Sequence, residues 1–342
     1  MRKRTIILLI TGLVLIGLAY IGYTWYRGFL SPNVTDRQEF LYIPTGSSFE
    51  ELMQNLQQNE ILKDTATFRW AAQKKELPSN VKAGKYRLEA GMNNREFVNK
   101  LLGGVQEPVK LRFQNIRLKN QFAAFVATQL EADSSSLMNL MNNDSLASSY
   151  GFTTENFFSM FIPNTYELYW NTSAKQFFER MHTEYDRFWN DERQAKAKEI
   201  GLSPLEVSIL ASIVKGEALH TDEMPKIAGL YMNRLERGIL LQADPTVIFA
   251  AQDFTIRRVL NKDLLIDSPY NTYLYKGLPP GPIMMPSIAS IDAVLNYQKH
   301  DYLYMCAKAD FSGYHSYAKT MSEHLVNARA FQRALNKQNI KR

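Results

Sequence analysis

The run from Thr5 to Tyr26 carries no charged residue and follows directly on the basic residues Arg2, Lys3 and Arg4. As an α-helix rising about 1.5 Å per residue, it would reach roughly 33 Å, enough to cross the hydrocarbon core of a bilayer. Tyr23, Trp25 and Tyr26 crowd its far end, where an aromatic belt belongs. The basic cluster on the near side predicts an N-terminus in the cytoplasm and a body outside. The alternative is a cleaved signal peptide. Its apolar stretch would be shorter and followed by small residues, whereas bulky aromatics follow here. No second apolar run of this length occurs. The expectation is an uncleaved single-pass anchor at 5–26 behind a cytoplasmic tail at 1–4, with the body of the chain outside.

Hydrophobic residues make up 45% of the 342 residues and charged residues 22%. That is ordinary globular composition and excludes a disordered chain. The net charge of +6 is spread over both termini and suits anionic lipid or an acidic wall polymer. Nucleic acid is not an expected partner, because no zinc-finger spacing or RNP-type aromatic signature occurs. The one cysteine, Cys306, excludes an intramolecular disulfide and a Cys-rich zinc site. It lies in an alternating strand-like run, Tyr302 to Ala307, and reads as a small buried apolar residue. The histidines lack a spacing such as HExxH, and no GxSxG, P-loop or dinucleotide fingerprint is present. Neither a metal nor a cofactor is expected.

Beyond the anchor the pattern predicts an α+β chain. Residues 38–112 form a first small unit: a strand at Phe40–Ile43, a helix starting at Ser47-Ser48, a second helix over Thr67–Lys74, and a strand over Ala83–Leu88. A third helix runs from Asn94 and stops at Gly103-Gly104. The strand–helix–helix–strand order is similar to that of small wall-binding modules. A strand at Val109–Phe113 leads into residues 113–200, an α-rich connecting region with a helix over Phe122–Leu130 and a long helical stretch from 174 to about 200. Residues 201–342 form a larger mixed domain.

The strongest local signal lies at Ser203-Pro204-Leu205-Glu206. An N-cap serine, a proline at the first helical position and a capping-box glutamate together open a helix. Apolar residues recur at Val207, Leu210, Ile213 and Val214, and Glu217 continues that stripe almost two turns beyond Leu210. Apolar surroundings and a position at the negative end of the helix dipole both disfavour its ionised form. Such a carboxyl can donate a proton to a leaving oxygen. It can equally be an edge glutamate that reaches water. Asp244-Pro245 reads as an N-cap with proline at the next position. Asn233 and Arg234 lie on a helix expected from Pro225 to Arg237 and closed by Gly238; either side chain reads as a solvated face or as pointing into a cleft. Tyr270 to Tyr273 and Lys276 to Pro282 form an aromatic, Pro/Gly-rich loop, either a sugar-holding surface or a stiff connection.

Taken in order, Leu210 to Glu217, Asn233-Arg234-Leu235, Leu241 to Val247, Tyr270 to Tyr273, Gly277 to Ile283, and then His315 and His324 resemble the MltG/YceG family of endolytic murein transglycosylases. The resemblance covers nearly the whole chain, with the anchor, a LysM-like first unit and Pro163-Asn164-Thr165-Tyr166. It implies that Glu217 is the catalytic acid/base. It also implies that Asn233, Gln242, Asp244, Tyr270, Asn271, Thr272, Leu278, Pro279 and His315 bind substrate, without a metal. Two positions depart from the family pattern. Lys215 stands where a second glutamate is common, and Asn164 stands in the usual Pro-Asp-Thr-Tyr. The implied activity is cleavage of the MurNAc–GlcNAc bond of nascent glycan strands, leaving 1,6-anhydro-MurNAc ends and terminating elongation. The implied partners are peptidoglycan glycan strands, the membrane and peptidoglycan synthases, and the implied place is a bacterial cytoplasmic (inner) membrane with the body on the periplasmic side. Two other readings are a hydrolase using Asp244 or Glu223 as a second carboxylate, and a non-catalytic wall-binding scaffold.

Overall fold

Helix α1 (Arg2–Trp25) continues through a π-helical turn at Tyr26–Leu30. Residues 2–337 are described by the structure, a computed structural model. From Ile6 to Ile21 the large apolar side chains of α1 are each more than half exposed. The stretch Lys3–Leu30 is long and apolar enough to cross a membrane, by length and composition. Its end is fastened to the body. Trp25 and Phe29 meet the Trp70 ring at 5.8 and 5.0 Å. Gly28 lies flat on the same ring, where a Cβ would come within 2.3 Å. The buried Asn94 amide donates to the Gly28 carbonyl at 2.9 Å.

The chain divides into two compact units. The first comprises residues 1–110, 129–131 and 166–173, and the second 111–128, 132–165 and 174–342. The segments 113–200 and 201–342, expected as separate regions, thus lie mostly together in the second unit.

In the first unit, β1 (Phe40–Ile43) pairs antiparallel with β2 (Gly84–Arg87), with Leu41 opposite Tyr86. Between them run α2 (Phe49–Gln58) and α3 (Thr65–Lys74), followed by α4 (Asn94–Gly103). Each start has a side-chain cap: Ser48 with Glu51, Asp64, and Asn93 with Glu96. Gly104 ends α4 at φ 66°, a left-handed conformation that glycine adopts freely. Leu41, Leu56, Phe68, Tyr86, Phe97 and Leu101 form the core.

Two short strands, β3 (Val109–Arg112) and β4 (Thr165–Leu168), accompany the chain's passages from one unit to the other. The second unit begins with α5 (Lys119–Ala127), α6 (Ser134–Met141) and α7 (Asp144–Ser149), so the polar stretch after Asp133 is two capped helices. The helical stretch expected from 174 to 200 is also two helices, α8 (Ala174–Phe188) and α9 (Asp191–Glu199). Asn190 between them caps the second by accepting from the Arg193 N–H. Phenylalanines from this region fill its interior. Phe122 meets Phe113, Phe158, Phe161 and Phe177 at centroid distances from 4.6 to 6.0 Å.

Helix α10 (Pro204–Glu217) starts with the capping box at Ser203 and Glu206. All eight residues from Val207 to Val214 are buried, so this helix has no solvent face over that span and the stripe read from the sequence is too narrow. It packs between α11 (Met224–Glu236), α12 (Asp244–Ala251) and α13 (Ile288–Leu295). The hairpin β5 (Tyr304–Ala307) and β6 (His315–Ala318) pairs Ala307 with His315, and α14 (Met321–Lys337) lies against it.

Replacing Phe122 by alanine removes a ring that is 1% exposed and touches four others. A loss of about 3–5 kcal/mol in unfolding free energy is expected, read as a lower denaturant midpoint. A midpoint equal to that of the unchanged chain would show that this cluster does not hold the unit together.

Candidate active site

Glu217 is the last residue of α10, and its side chain lines a cavity of about 390 Å³. The helix brings it there because the apolar body of α10 is locked among neighbours and only its last turn reaches the cavity. Ser212 contributes to that lock by accepting the Ile283 N–H at 3.1 Å. Gly216 is the second device. A Cβ there would lie 2.8 Å from Pro245, so only glycine lets the start of α12 come this close to the end of α10. That approach sets Asp244 into the same cavity as Glu217.

The Tyr231 hydroxyl, carried by α11, donates to Glu217 Oε1 at 2.9 Å. Burial raises the Glu217 carboxyl to about 7, and the Asp244 charge adds to this. The Tyr231 bond and the Arg234 charge act the other way and do not cancel it. Burial, with the neighbouring Glu217 charge and bond, holds the Tyr231 hydroxyl well above its ordinary range, so it stays a donor.

Arg234 is 6% exposed, one turn beyond Tyr231 on α11. Its Nε donates to the Leu303 carbonyl at 2.6 Å. One terminal nitrogen donates to Leu240 and Leu241 carbonyls at 3.0 and 2.8 Å and to Gln242 Oε1 at 3.2 Å. Dipoles therefore hold this cation, and its charge reaches into the cavity. Gln242 has φ 51°, a left-handed residue that turns the chain into α12. Its N–H donates to the Thr272 carbonyl, and the Ala243 N–H donates to Thr272 Oγ1, both at 3.0 Å.

Asp244 is the first residue of α12, and the N-cap position belongs to Ala243. The capping role expected for Asp244 is corrected accordingly: its carboxylate accepts the Tyr273 hydroxyl at 2.6 Å instead. Burial and this bond push the Tyr273 hydroxyl upward. Opposite, β5 and β6 supply Cys306 and His315. Cys306 lines the cavity and is partly exposed, which corrects its expected burial. Glu223, just before α11, is buried and accepts from the His315 backbone N–H at 2.8 Å and the Tyr317 hydroxyl at 2.9 Å.

A family model described as the YceG-like family matches residues 41–330. The chain belongs to the YceG-like family. It is 29% identical over 298 residues to a Bacillus subtilis protein named endolytic murein transglycosylase, covering 82% of this chain and 81% of that one. It is 25% identical to a Streptococcus pneumoniae protein of the same name, covering 89% of this chain and 61% of that longer one. A solved yceG-like protein from Listeria monocytogenes matches with a TM-score of 0.57 at 27% identity, over 84% of this chain and 97% of that chain.

In this YceG-like chain the cavity brings together Glu217, Gln242, Asp244 and His315 from the residues singled out in the sequence. The other residues that the resemblance assigned to substrate lie off its wall. Asn233 donates to the His300 and Tyr302 carbonyls at 2.7 and 2.9 Å, tying α11 to the segment before β5. Asn271 and Thr272 are fully buried. Asn271 donates to the Leu264 and Ile266 carbonyls, and Thr272 Oγ1 lies 2.8 Å from Thr246 Oγ1. Tyr270 packs on Phe249 at 4.7 Å. Leu278 packs against the main core, and Pro279 is buried. These side chains build the loop that supports Tyr273 and the start of α12. Arg234, read from the sequence as facing either solvent or a cleft, lies in the cavity wall, as does Tyr273 from the aromatic loop; Tyr231 joins them without having been singled out. Tyr231 continues the apolar face of α11 and reads as core, and the only pointer to it is a hydroxyl that burial obliges to find a partner.

The Glu217 carboxyl ionises near 4.5 in an unfolded chain and near 7 in the folded one. The folded state therefore binds the extra proton between these values, and stability falls as pH rises through that window. Relative to Glu217→Gln, the unchanged chain is expected to lose on the order of 3 kcal/mol between pH 4.5 and 7, measured by denaturant unfolding at a series of pH values. A pH-independent difference between the two proteins would contradict the burial of this carboxyl.

Proposed function

We propose that this chain is a membrane-anchored endolytic transglycosylase that cuts the MurNAc–GlcNAc bond of nascent peptidoglycan strands. The observation that carries the reading is Glu217, held protonated up to about pH 7 in a cavity and steadied by Tyr231. The names of the Bacillus and Streptococcus relatives support the same substrate. In the proposed reaction Glu217 gives its proton to the glycosidic oxygen as the C1–O bond breaks. Positive charge builds at C1 of the muramoyl residue. The 6-hydroxyl of that residue attacks C1, and its proton passes to Glu217. The products are a 1,6-anhydro-muramoyl end and a free N-acetylglucosamine end, with no water consumed and Glu217 restored. An ordinary glycosidase needs a second carboxylate to activate water or to attack. An internal hydroxyl, already positioned, removes that need. Asp244 carries a fixed hydrogen bond from Tyr273 and is read here as part of the binding wall, together with Gln242 and His315.

In this reading α1 crosses the cytoplasmic membrane with residues 1–4 inside, and the body lies on the outer side. Residues 38–112 act as a LysM-like wall-binding module, residues 113–200 connect, and residues 201–342 carry the reaction. Cutting close to the membrane would end strand growth beside the synthases that make it. Protease added to spheroplasts is expected to digest the body; a fully protected body would reverse the topology.

Purified glycan strands incubated with the full chain in detergent, followed by mass spectrometry, test the chemistry. Anhydromuramoyl ends are expected, falling by a factor on the order of 10²–10⁴ in Glu217→Gln. The protonated carboxyl starts the reaction, so kcat/KM is expected to be level below about pH 7 and to fall above it. Ends carrying added water would move the reaction to two-carboxylate hydrolysis. Binding of wall sacculi without cleavage by the unchanged chain would make it a scaffold.

A further inference from the structure

Glu223 takes no part in the reaction above, yet it is buried beside the Glu217 cavity and spends both oxygens on two neighbours, His315 and Tyr317. Oε1 accepts the backbone N–H of His315 and the hydroxyl of Tyr317, at 2.8 and 2.9 Å. Oε2 lies 3.0 Å from His315 Nδ1. The Glu223 side chain is 4% exposed and that of His315 14%. A carboxylate is an acceptor only, so Nδ1 must be the nitrogen that carries the proton in the neutral ring. Nε2 is then left with a lone pair. His315 also lines the cavity that holds Glu217.

The rest of the wall gives such an acceptor a purpose. The Tyr231 and Tyr273 hydroxyl protons are committed to Glu217 and Asp244. Arg234 can only donate, and it donates to carbonyls and an amide oxygen. A sugar entering the cavity brings hydroxyl donors, and the wall needs acceptors set at defined positions to orient them. We propose that Glu223 is a positioning residue that locks His315 in its Nδ1–H tautomer, so that Nε2 accepts a hydrogen bond from a hydroxyl of the bound glycan. The glycan half of this proposal rests on the transglycosylase reading; the tautomer half does not. The same geometry removes Glu223 from the search for a second catalytic carboxylate, since both its oxygens are turned to His315 and Tyr317.

The test uses the full chain in detergent with ¹⁵N-labelled histidine. The chain has five histidines, and His315→Gln assigns the signal. In the unchanged protein His315 is expected as the Nδ1–H tautomer. Glu223→Gln keeps an oxygen for the backbone N–H and Tyr317 but sets an amide NH₂ opposite Nδ1. The ring is then expected to invert, with its proton on Nε2. For purified glycan strands KM should rise about tenfold, the worth of one hydrogen bond, with kcat changing less. His315→Gln should raise KM similarly, and the double variant should add little to either single one. A proton on Nε2 in the unchanged protein overturns the proposal. So does an unaltered tautomer in Glu223→Gln, or fully additive losses in the double variant. If the unchanged chain neither binds nor cleaves glycan, the transglycosylase reading falls, and the hydroxyl assigned to Nε2 falls with it. The Nδ1–H tautomer would then stand as a finding separate from both.

Discussion

The arrangement of the cavity depends on one costly placement, a carboxyl at the end of a helix that is buried on every side. Water would favour the ionised form of Glu217, and the protein withholds most of that water. What keeps the side chain from simply turning out to solvent is the Tyr231 hydroxyl, itself buried and in need of an acceptor. Arg234 then limits how far the proton affinity rises. It can do so without forming an ion pair because backbone carbonyls hold its guanidinium. An Arg–Glu pair at Glu217 would have fixed the carboxylate form and left nothing to donate. The carbonyl cage gives electrostatic balance while keeping the proton available.

Close approach does the remaining work. Gly216 lets Pro245 touch α10. Gly229 likewise lets the Gln298 carbonyl pass α11, where a Cβ would lie only 2.2 Å away. The first contact brings Asp244 toward Glu217. The second lets the chain cross α11 on its way to β5 and to the wall opposite. Thr272 and Thr246, bonded hydroxyl to hydroxyl, set the angle at which α12 starts. The polar wall of the site is thus held in place by residues that do not line the cavity, Gly216, Gly229, Thr246 and Thr272.

This explains what was legible in the sequence and what was not. The start of α10 could be read residue by residue, because capping is local: Ser203, Pro204 and Glu206 interact within one turn. The βααβ order of the first unit was readable for the same reason, its helices being marked by Ser48 and by Gly104. Glu217 could be singled out because its spacing continued an apolar pattern. Asp244 was misread as a cap because Asp-Pro carries the local signature of one, whereas a tyrosine 29 residues later takes its carboxylate. Asn271 and Thr272 look like surface amide and hydroxyl groups in a Pro/Gly-rich loop. Only the fold shows that they satisfy carbonyls and hydroxyls inside it. Tyr231 was hidden for the converse reason, as a polar atom on a helix whose pattern reads as core, while Arg234 read equally as a solvated face or as pointing into a cleft.

One carboxyl and one imidazole in the same wall then divide the work by their hydrogen bonds. Glu217 receives a single bond, from a hydroxyl, and keeps the capacity to lose and regain a proton. Glu223 receives bonds at both oxygens, from a backbone N–H, a hydroxyl and a ring, and these hold its side chain in place. Two glutamates six residues apart in the chain thereby take opposite roles. The difference lies in the number of donors each meets, since both side chains are withdrawn from water. The reaction proposed for this chain, whose nucleophile belongs to its own substrate, calls for one mobile proton and a rigid surround, which are the two roles these glutamates divide.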